Sequence, residues 1–589
     1  MKGKKFVSVL GEVTARAVSA WFTAISLTLI LRPGDASYIE YSVENLRFTL
    51  WAGAISFAVF SVPGVLRHLG RLKFAWDFWL LMGSTVLFAC VAAYKFLGIF
   101  FSVGAFIAVI AVASVCFARG RGEIPDINVG KKASLWILGV GGGVMTCFIA
   151  SVCIVRYVVY YAPTYDFGIF ANMFDNMLET GLPLTTCERD GLTSHFSVHI
   201  SPIYYLILPL YALCPRPETL LVIQAAAVVS GCVPIWLIAR KKTGSYAAAA
   251  VFSVVYLLYP AFSCGAYFDF HENKFLAPLI LWALWFCENK KRIPMYLFLL
   301  FTAMVKEDAS VYTAVVGLYM FFGKKERLHG ALVFGGSLAY FFGAVALLGH
   351  IGEGGQFWRY GNIASGSLTD IITAVFLNPM RVVSECVGED KVKFIFQMLF
   401  PLLGLPLFSK KASRYFLLIP FVLVNLMPDY VYQHDIGYQY TFGSGALLFY
   451  LAILNWTDLR ESLKPGFVKK TALAICTAAM LSFMAYGARG GIYFSMALED
   501  SHITKSIRSA LDIIPEDATV CASTMFVAHL ADCEEIYDMD SNFRLTDYVA
   551  VDLRNMNTEE MDTRLASIEA MGYDCVVVNP HSAAVLRKR

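Results

Sequence analysis

Charged residues are scarce in this sequence, and their scarcity excludes an ordinary soluble domain. Only 16% of the 589 residues are Asp, Glu, Lys or Arg, whereas 57% are hydrophobic and 15% are aromatic. Apolar runs recur along the chain, close to the roughly 20 helical residues that cross a hydrocarbon core. Because lipid offers the backbone no hydrogen-bond partner, these runs are predicted to be helices.

Several short motifs are also missing. The 14 cysteines show neither CxxC nor Cys/His zinc spacing, and many fall inside apolar runs, where cysteine behaves as a small hydrophobe. Residues 487–589 contain no nucleotide-binding glycine motif, and no nucleic-acid partner is expected. The basic N-terminal head leads into an apolar run without a small-residue cleavage site, which predicts an uncleaved first span.

The positions of Lys and Arg predict the topology. These residues are enriched in cytoplasmic loops, so Lys2, Lys4 and Lys5 place the N-terminus inside. With about fifteen spans, every later basic cluster falls on the same side and the C-terminus lies outside. The predicted spans cover residues 14–31, 47–66, 75–95, 97–117, 133–160, 218–239, 246–263, 275–288, 293–305, 309–322, 331–350, 394–408, 415–428, 441–456 and 471–486.

The chain changes character after residue 486. Short β-rich runs (DATVCAS, EEIYDMD, DYVAVDL, YDCVVVN and AAVLRKR) alternate with helical patterns (SHITKSIRSALDIIP and NTEEMDTRLASIEAMG), which is typical of a small α/β domain. We therefore predict an all-α polytopic membrane protein with an extracytoplasmic α/β domain. Its divisions are a four-span extension (1–132), a transmembrane core (133–486) with an outer loop (162–217), and the outer domain (487–589).

Ionisable side chains gather at the predicted outer ends of the spans. Such groups are costly near membrane depth and usually face a cavity, one another or a ligand. Their convergence on one side indicates a functional site there. The residues are Asp166, His195, His199, Asp269, His271, Glu272, Lys306, Glu307, Asp308, Arg359 and His434.

Each of these residues also has a purely structural interpretation. Asp166 precedes an amphipathic pattern that ends at Gly181, so it is a good N-cap for a helix lying on the membrane surface. His195 and His199 are four residues apart, which suits either a metal ion or a hydrogen-bonded pair. The sequence FDFHENK suits a solvated loop tip, VKED a local ion pair, and Arg359 a lipid-headgroup anchor.

The segments YDFGIFANMFDNMLETG, SHFSVHISPIYYLILPLYAL, YLLYPAF, FDFHE and KED resemble the DUF2079 family of multispanning bacterial and archaeal membrane proteins. That family is grouped with the GT-C superfamily of membrane glycosyltransferases. The resemblance implies a GT-C-like fold in a bacterial or archaeal cell membrane, with interfacial helices in the first large outer loop. It also implies sugar transfer from a polyprenyl-phosphate-linked donor to an acceptor on the outer face.

In this resemblance Asp166 falls where the superfamily has its catalytic acid, although the frequent acidic pair is here a single Asp with Asp175 well separated. Asp166 is the candidate base. Lys306 and Arg359 would stabilise the lipid phosphate. Further substrate-binding candidates are Glu272, Glu307, Asp308 and His434. A divalent ion, Mn²⁺ or Zn²⁺, would be held by His195, His199, Asp269 and His271.

Other functions remain open at this stage. Metal-free catalysis, with the histidines binding phosphate, is an equal possibility. A transporter or lipid flippase would place its polar groups nearer the bilayer midplane, commonly with inverted repeats. A non-catalytic membrane scaffold with an outer binding domain is the third interpretation. The clustering of polar groups at one edge favours an enzyme.

Overall fold

Helices dominate the computed structural model, which describes residues 2–32, 45–72, 76–94, 129–189, 191–352, 354–364, 367–462, 465–541 and 543–589. In these ranges seven helical segments are long and apolar enough to cross a membrane. The seven are Glu12–Leu31, Leu46–His68, Lys131–Val158, Pro217–Thr243, Tyr246–Tyr267, Arg327–Ile351 and Val468–Glu499. The prediction of a multispanning helical protein is confirmed.

The number of spans stays a prediction, as does the division into three parts. The predicted span 97–117 lies outside the described residues. Over the predicted span 394–408, the α-helix ends at Leu399 and two short 3₁₀ turns follow. The predicted span 415–428 is a 3₁₀ turn followed by a π-helical turn. Prolines at positions 401, 406 and 420 account for these breaks, because proline removes a helical hydrogen bond.

The described α-helices are numbered in chain order. They are α1 Lys2–Leu31, α2 Leu46–His68, α3 Asp77–Tyr94, α4 Lys131–Val158, α5 Ile169–Thr180, α6 Tyr204–Tyr211, α7 Pro217–Ser230, α8 Cys232–Thr243, α9 Tyr246–Leu257, α10 Pro260–Tyr267, α11 Leu276–Glu288, α12 Arg292–Ala303, α13 Ser310–Leu318, α14 Arg327–Ile351, α15 Leu368–Leu377, α16 Pro379–Glu385, α17 Glu389–Leu399, α18 Phe442–Ser462, α19 Pro465–Ala485, α20 Ile492–Glu499, α21 Ser501–Leu511 and α22 Thr558–Glu569.

One continuous apolar core joins the helices from α4 to α19. Its centre is α18, whose residues from Phe442 to Trp456 are all buried. The N-terminal helices pack against the edge of this core, where Phe22 and Phe88 meet Leu481 and Ala485. The core therefore fixes the ends of many helices relative to one another, including those that carry the polar residues.

Helices α13 and α14 touch through two glycines. A Cβ at Gly330 would lie 2.6 Å from the Phe321 nitrogen and 2.8 Å from the Gly317 oxygen. Both obstacles are backbone atoms and cannot rotate away, so the contact requires glycine. Small residues allow this close approach between membrane helices.

We expect Gly330→Ala to lower the thermal stability of the purified protein, because the added methyl group forces the two helices apart. The expected cost is about 1–3 kcal/mol, typical of overpacking. Gly335→Ala, on the same helix with nothing within 4 Å of its Cβ, is the matched control and should leave the melting temperature unchanged or raised. Equal melting temperatures for the two variants would contradict the contact.

A five-stranded sheet forms the end of the chain. Its strands are β3 Thr519–Ala522, β4 Glu535–Asp538, β5 Tyr548–Asp552, β6 Tyr573–Asn579 and β7 Ala583–Lys588, after a two-residue pair β1 Leu184–Thr185 and β2 Thr193–Ser194. The order is β4-β3-β5-β7-β6, with β3 parallel to both neighbours and β7 antiparallel to both of its own. All five predicted strands and both predicted helices, α21 and α22, are confirmed.

The sheet is docked on the loop that follows α4. The backbone N–H and hydroxyl of Thr164 bond to Thr524, each over 3.0 Å. The hydroxyl of Thr186 donates to the Ile536 carbonyl over 2.6 Å. The His529 ring stacks on Tyr157, with centroids 3.9 Å apart. The sheet therefore lies at the same end of the helical core as this loop.

Candidate functional site

The loop after α4 places Asp166 in a π-helical turn, Thr164–Gly168, that leads into α5. The predicted helix and its end at Gly181, where φ is +72°, are confirmed. The apolar stripe of α5 is buried against protein, with Phe170 and Phe174 packed on Phe270. Asp166 is not an N-cap: α5 has no side-chain cap, and the Asp166 carboxylate bonds to none of the described residues.

A buried ion pair lies beneath this loop. The Arg156 guanidinium, in the last turn of α4, donates to the carboxylate of Asp269. Lys274 is also buried, and its ammonium group donates to the carbonyls of Phe268 and Asp269 and, over 3.1 Å, to the Gln224 side chain. The second oxygen of Asp269 has no partner among the described residues. Asp269 is therefore held in place as the partner of a cation.

Sequence reasoning missed both of these cations. Arg156 interrupts the last turn of an apolar span, and Lys274 comes two residues after the end of the FDFHE segment. A charge inside an otherwise apolar run is a usable signal, because it requires a partner at the same depth.

We expect Arg156→Leu to cost about 3–5 kcal/mol of stability, because it leaves the Asp269 carboxylate buried without its cation. The measurement is thermal unfolding in detergent. Arg489→Leu is the control, since Arg489 is exposed and stacks on Tyr486. The double variant Arg156→Leu/Asp269→Asn should regain part of the loss. A single variant as stable as the control would contradict the role of the pair.

A second chain of polar contacts links the first outer loop to Lys306. Glu188 pairs with Nδ1 of His195 over 2.7 Å, and Nε2 of that ring lies 3.1 Å from the Tyr204 hydroxyl. Tyr204 donates to Glu272 over 2.9 Å, and the other Glu272 oxygen lies 3.5 Å from the Lys306 ammonium. Lys306 is 2% exposed and Glu272 is fully buried. This series of polar contacts holds Lys306 in place through side chains from three separate segments.

Glu307, next to Lys306, is anchored to the other predicted histidine. Its carboxylate accepts from the Ile200 N–H over 3.1 Å and lies 2.9 Å from Nδ1 of His199. Burial alone would raise the pKa of Glu307, but His199 and Lys306 outweigh it and hold the pKa at about 2. Burial and the Lys306 charge lower the pKa of His199. Both lowered pKa values are explained if Glu307 is ionised and accepts a hydrogen bond from the Nδ1–H of a neutral His199.

The four residues predicted as metal ligands do not form a metal site. His195, His199 and Asp269 pair with Glu188, Glu307 and Arg156, respectively. His271 lies 3.1 Å from Glu272. Within the described ranges no group of three or more His, Cys, Asp or Glu side chains could hold a metal ion. The donor set does not fit Mn²⁺ or Zn²⁺, because its members are distributed over separate ion pairs.

Five of the predicted residues line one cavity of about 510 Å³: His199, Lys306, Glu307, Asp308 and Arg359. The rest of its wall is mainly apolar and comes from α13, α14, α15 and the turns around Phe357 and Leu423. Aromatic and aliphatic side chains of this wall include Leu338, Phe341, Phe342, Ile372, Val375 and Phe376. The cavity therefore has one charged end, formed by these five residues and called its head below, and an apolar wall along the rest of its length.

Two other predicted substrate-binding residues lie elsewhere. Glu272 is behind Lys306 and does not line the cavity. His434 lines a separate pocket of about 230 Å³ with Asp390, Lys393 and Gln397. The short 3₁₀ turn Val431–His434 divides the two spaces, since its Gln433 faces the larger cavity.

Charges around the head of the cavity act on two further acids. Burial raises the pKa of Asp166 well above its usual value, and the charges of Asp269 and Glu272 raise it further, against Lys306 and Lys274. Burial and the Glu307 charge raise the pKa of Asp308 to about 6. Asp166 thus lies within electrostatic range of Lys306, although it is outside the cavity wall.

Arg359 is the second cation of the cavity head. Its guanidinium lies over the rings of Tyr430 and Tyr440, 4.6 and 5.5 Å from their centroids. Stacking of this kind holds a planar guanidinium in one orientation. Its Nε has no hydrogen-bond partner among the described residues, so it keeps hydrogen-bonding capacity for a ligand.

A family model described as a predicted membrane protein, DUF2079, matches residues 156–576, from Arg156 into the last part of the sheet. The chain belongs to the DUF2079 family. That membership confirms the resemblance seen in the sequence and agrees with the multispanning helical structure. No curated protein matches this DUF2079 chain.

Among solved structures, the chain is similar to ArnT from Cupriavidus metallidurans, bound to undecaprenyl phosphate and in the apo state. The TM-scores are 0.44 and 0.43, both at 14% identity. The matches cover 75% and 76% of this DUF2079 chain and 98% of each ArnT chain.

Proposed function

We propose that this DUF2079 protein is a membrane glycosyltransferase that moves a sugar from a polyprenyl-phosphate-linked donor to an acceptor. The cavity of about 510 Å³ carries the proposal, because one space joins two cations, placed beside Glu307 and Asp308, to a long apolar wall. Lys306 and Arg359 supply the cations, and helices α13 to α15 supply the wall. A polyprenyl phosphate has the same two parts, an anionic head and an apolar chain.

Two cations at the head of the cavity are available to bind an anion. Lys306 is 2% exposed and has Glu272 as a neighbour at 3.5 Å, a longer separation than a hydrogen bond. The Nε of Arg359 has no hydrogen-bond partner in the described part of the chain, and two tyrosines orient the guanidinium. Charge in such a low-dielectric setting acts strongly on a phosphate that gains negative charge.

Asp166 is the candidate general base. Its carboxylate has no hydrogen bond to the described residues, and its pKa is raised by burial, so it holds a proton more readily than an ordinary aspartate. In the proposed step the acceptor hydroxyl loses its proton to Asp166 while its oxygen bonds to the anomeric carbon. The bond from that carbon to the phosphate oxygen breaks, and the electron pair stays on the lipid phosphate beside Lys306 and Arg359.

We place this chemistry on the outer face of the membrane. The basic clusters predicted as cytoplasmic lie in the last turn of α8, after the end of α11 and after the π-helical turn that follows α13, whereas Lys306 and Asp308 precede α13. The C-terminal sheet docks at the Asp166 end. Cysteine labelling in intact cells should reach positions in the sheet and leave the basic turns unlabelled.

The deciding experiment compares two activities of the purified protein in liposomes. The proposed function requires transfer of labelled sugar from a polyprenyl-phospho-sugar mixture to an acceptor in a membrane extract. Val345→Trp, which fills the cavity wall, should abolish transfer, whereas Val140→Trp, on the exposed face of α4, should not. Movement of lipid or solute across the bilayer without donor-dependent transfer would instead establish the transporter interpretation.

A further inference from the structure

A second large cavity lies at the opposite end of α13. Asp308 and Ser310, at the start of that helix, line the first cavity, whereas Tyr319, Gly323 and Lys324, beyond its end, line the second. The helix and the following π-helical turn span about 20 Å at 1.5 Å per residue. The second cavity has a volume of about 520 Å³, so it is as large as the candidate active site.

This second cavity is strongly cationic. Six of its lining side chains are basic and two are acidic, which leaves four positive charges in excess. The basic ones are Lys242, Lys290, Lys324, Lys325, Lys411 and Arg414. They come from four separate segments: the ends of α8 and α11, the turn before α14, and the 3₁₀ turn Ala412–Leu418 with the residue before it. A general bias toward Lys and Arg in cytoplasmic turns explains why these side chains are positively charged. It does not explain why they line one concave space.

The basic side chains at the floor of the cavity, Lys242, Lys324 and Arg414, all form ion pairs. Glu288 accepts from Lys242 over 2.6 Å and from Lys324 over 2.8 Å. Arg414 donates to Asp458 over 2.8 Å. These pairs hold the floor in place and leave it with a positive excess, since two lysines share one carboxylate.

The rim of the cavity, formed by Lys290, Lys325 and Lys411, differs from the floor. The ammonium groups of Lys290, Lys325 and Lys411 are exposed and form no ion pair with the described residues. Lys290 and Lys325 also have positive φ angles, +54° and +57°, where Gly or Asn is the usual residue. The chain therefore places lysine at two positions that its backbone disfavours, and both face the cavity.

We infer that this cavity is a second ligand site, specific for phosphate-bearing anions. Its ligand is a phosphate group held by the rim lysines above a fixed cationic floor, with the Ser413 hydroxyl in the wall as a further polar group. Such a group can belong to an anionic lipid headgroup at the bilayer surface or to a free phosphorylated molecule. The site is independent of the proposed sugar transfer, because it lies at the other end of the helices.

The test uses the full-length protein in two assays. Binding of inorganic pyrophosphate is measured in neutral detergent. Retention of phosphatidylglycerol over phosphatidylcholine is measured by native mass spectrometry after extraction from mixed nanodiscs. The variant is Lys290→Asn/Lys325→Asn, since Asn tolerates positive φ. The matched control is Lys131→Asn/Lys132→Asn, which removes two exposed lysines from the start of α4 outside the cavity.

We expect the cavity variant to weaken binding about tenfold or more, because each basic residue near an anionic surface contributes roughly a factor of five. Loss of pyrophosphate binding identifies a free phosphate ligand, and loss of phosphatidylglycerol retention identifies a lipid headgroup. Lys411→Gln, at an ordinary φ, should weaken the same binding and guards against misfolding of the double variant. Equal binding by the cavity variants and the control in both assays would overturn the inference.

Discussion

Replacing Asp166 with Asn should reduce sugar transfer about 100-fold to 10,000-fold, the usual contribution of a positioned general base. The substitution keeps the shape of the side chain and removes its ability to take the acceptor proton. It should not unfold the protein. The raised pKa of Asp166 means that its ionised form destabilises the folded state at neutral pH, so Asp166→Asn should melt at the same temperature or higher.

Asp175→Asn is the matched control for Asp166→Asn. Asp175 belongs to the same loop, but it is already occupied as the acceptor of the Tyr211 hydroxyl over 2.7 Å. Transfer by this variant should stay within about threefold of wild type. If Asp175→Asn lost as much activity as Asp166→Asn at equal folded yield, Asp166 would not be the base.

The pH profile gives a second readout for Asp166. Since burial raises the pKa of Asp166, the carboxylate form is lost as the pH falls through a value well above the usual one for aspartate. Transfer by the wild-type protein should therefore fall on the acid side at a higher pH than an exposed aspartate would give. This acid limb should be absent from the residual activity of Asp166→Asn.

Replacing Lys306 with Met should weaken binding of undecaprenyl phosphate and reduce transfer by about 100-fold or more, because a buried positive charge opposite the phosphate is lost. Lys306→Arg keeps the charge and should retain much of the binding. Binding is measured with undecaprenyl phosphate and with neutral undecaprenol. Only the phosphate should distinguish the wild type from Lys306→Met.

The neighbours of Lys306 require a compensated variant. Glu272 is fully buried and would lose its cation in Lys306→Met. Lys306→Met/Glu272→Gln removes that unpaired charge and should fold better while remaining defective in phosphate binding. Lys393→Met, in the separate pocket with His434, controls for the loss of a lysine near the same end. A double variant that binds undecaprenyl phosphate as wild type does would refute the role of Lys306.

Much of the architecture follows from local patterns. The length and hydropathy of the apolar runs predicted a multispanning protein, and short β-rich runs predicted all five strands of the terminal sheet. The amphipathic helix after Asp166 and its end at Gly181 were also predicted correctly. These features depend on neighbouring residues along the chain, so they can be predicted without knowledge of the tertiary structure.

The pairing of side chains that are distant in the sequence could not be predicted in this way. The proposed metal ligands His195, His199 and Asp269 each have a different charged partner, and for His199 and Asp269 that partner comes from another segment. Asp166 is not a helix cap, and its carboxylate bonds to none of the residues that the structure describes. His434 faces a different pocket from the one lined by its neighbour Gln433.

By itself, the amino-acid sequence determined that the chain is a multispanning membrane protein with a terminal α/β unit and a band of ionisable groups at one end. Tertiary structure alone decided that Arg156 neutralises Asp269, that Lys306 and Arg359 share a cavity with an apolar wall, and that basic turns enclose a second one. The reason is physical. Hydrophobicity and periodicity are properties of contiguous residues, whereas the partner of a buried charge depends on how helices far apart in the chain pack together.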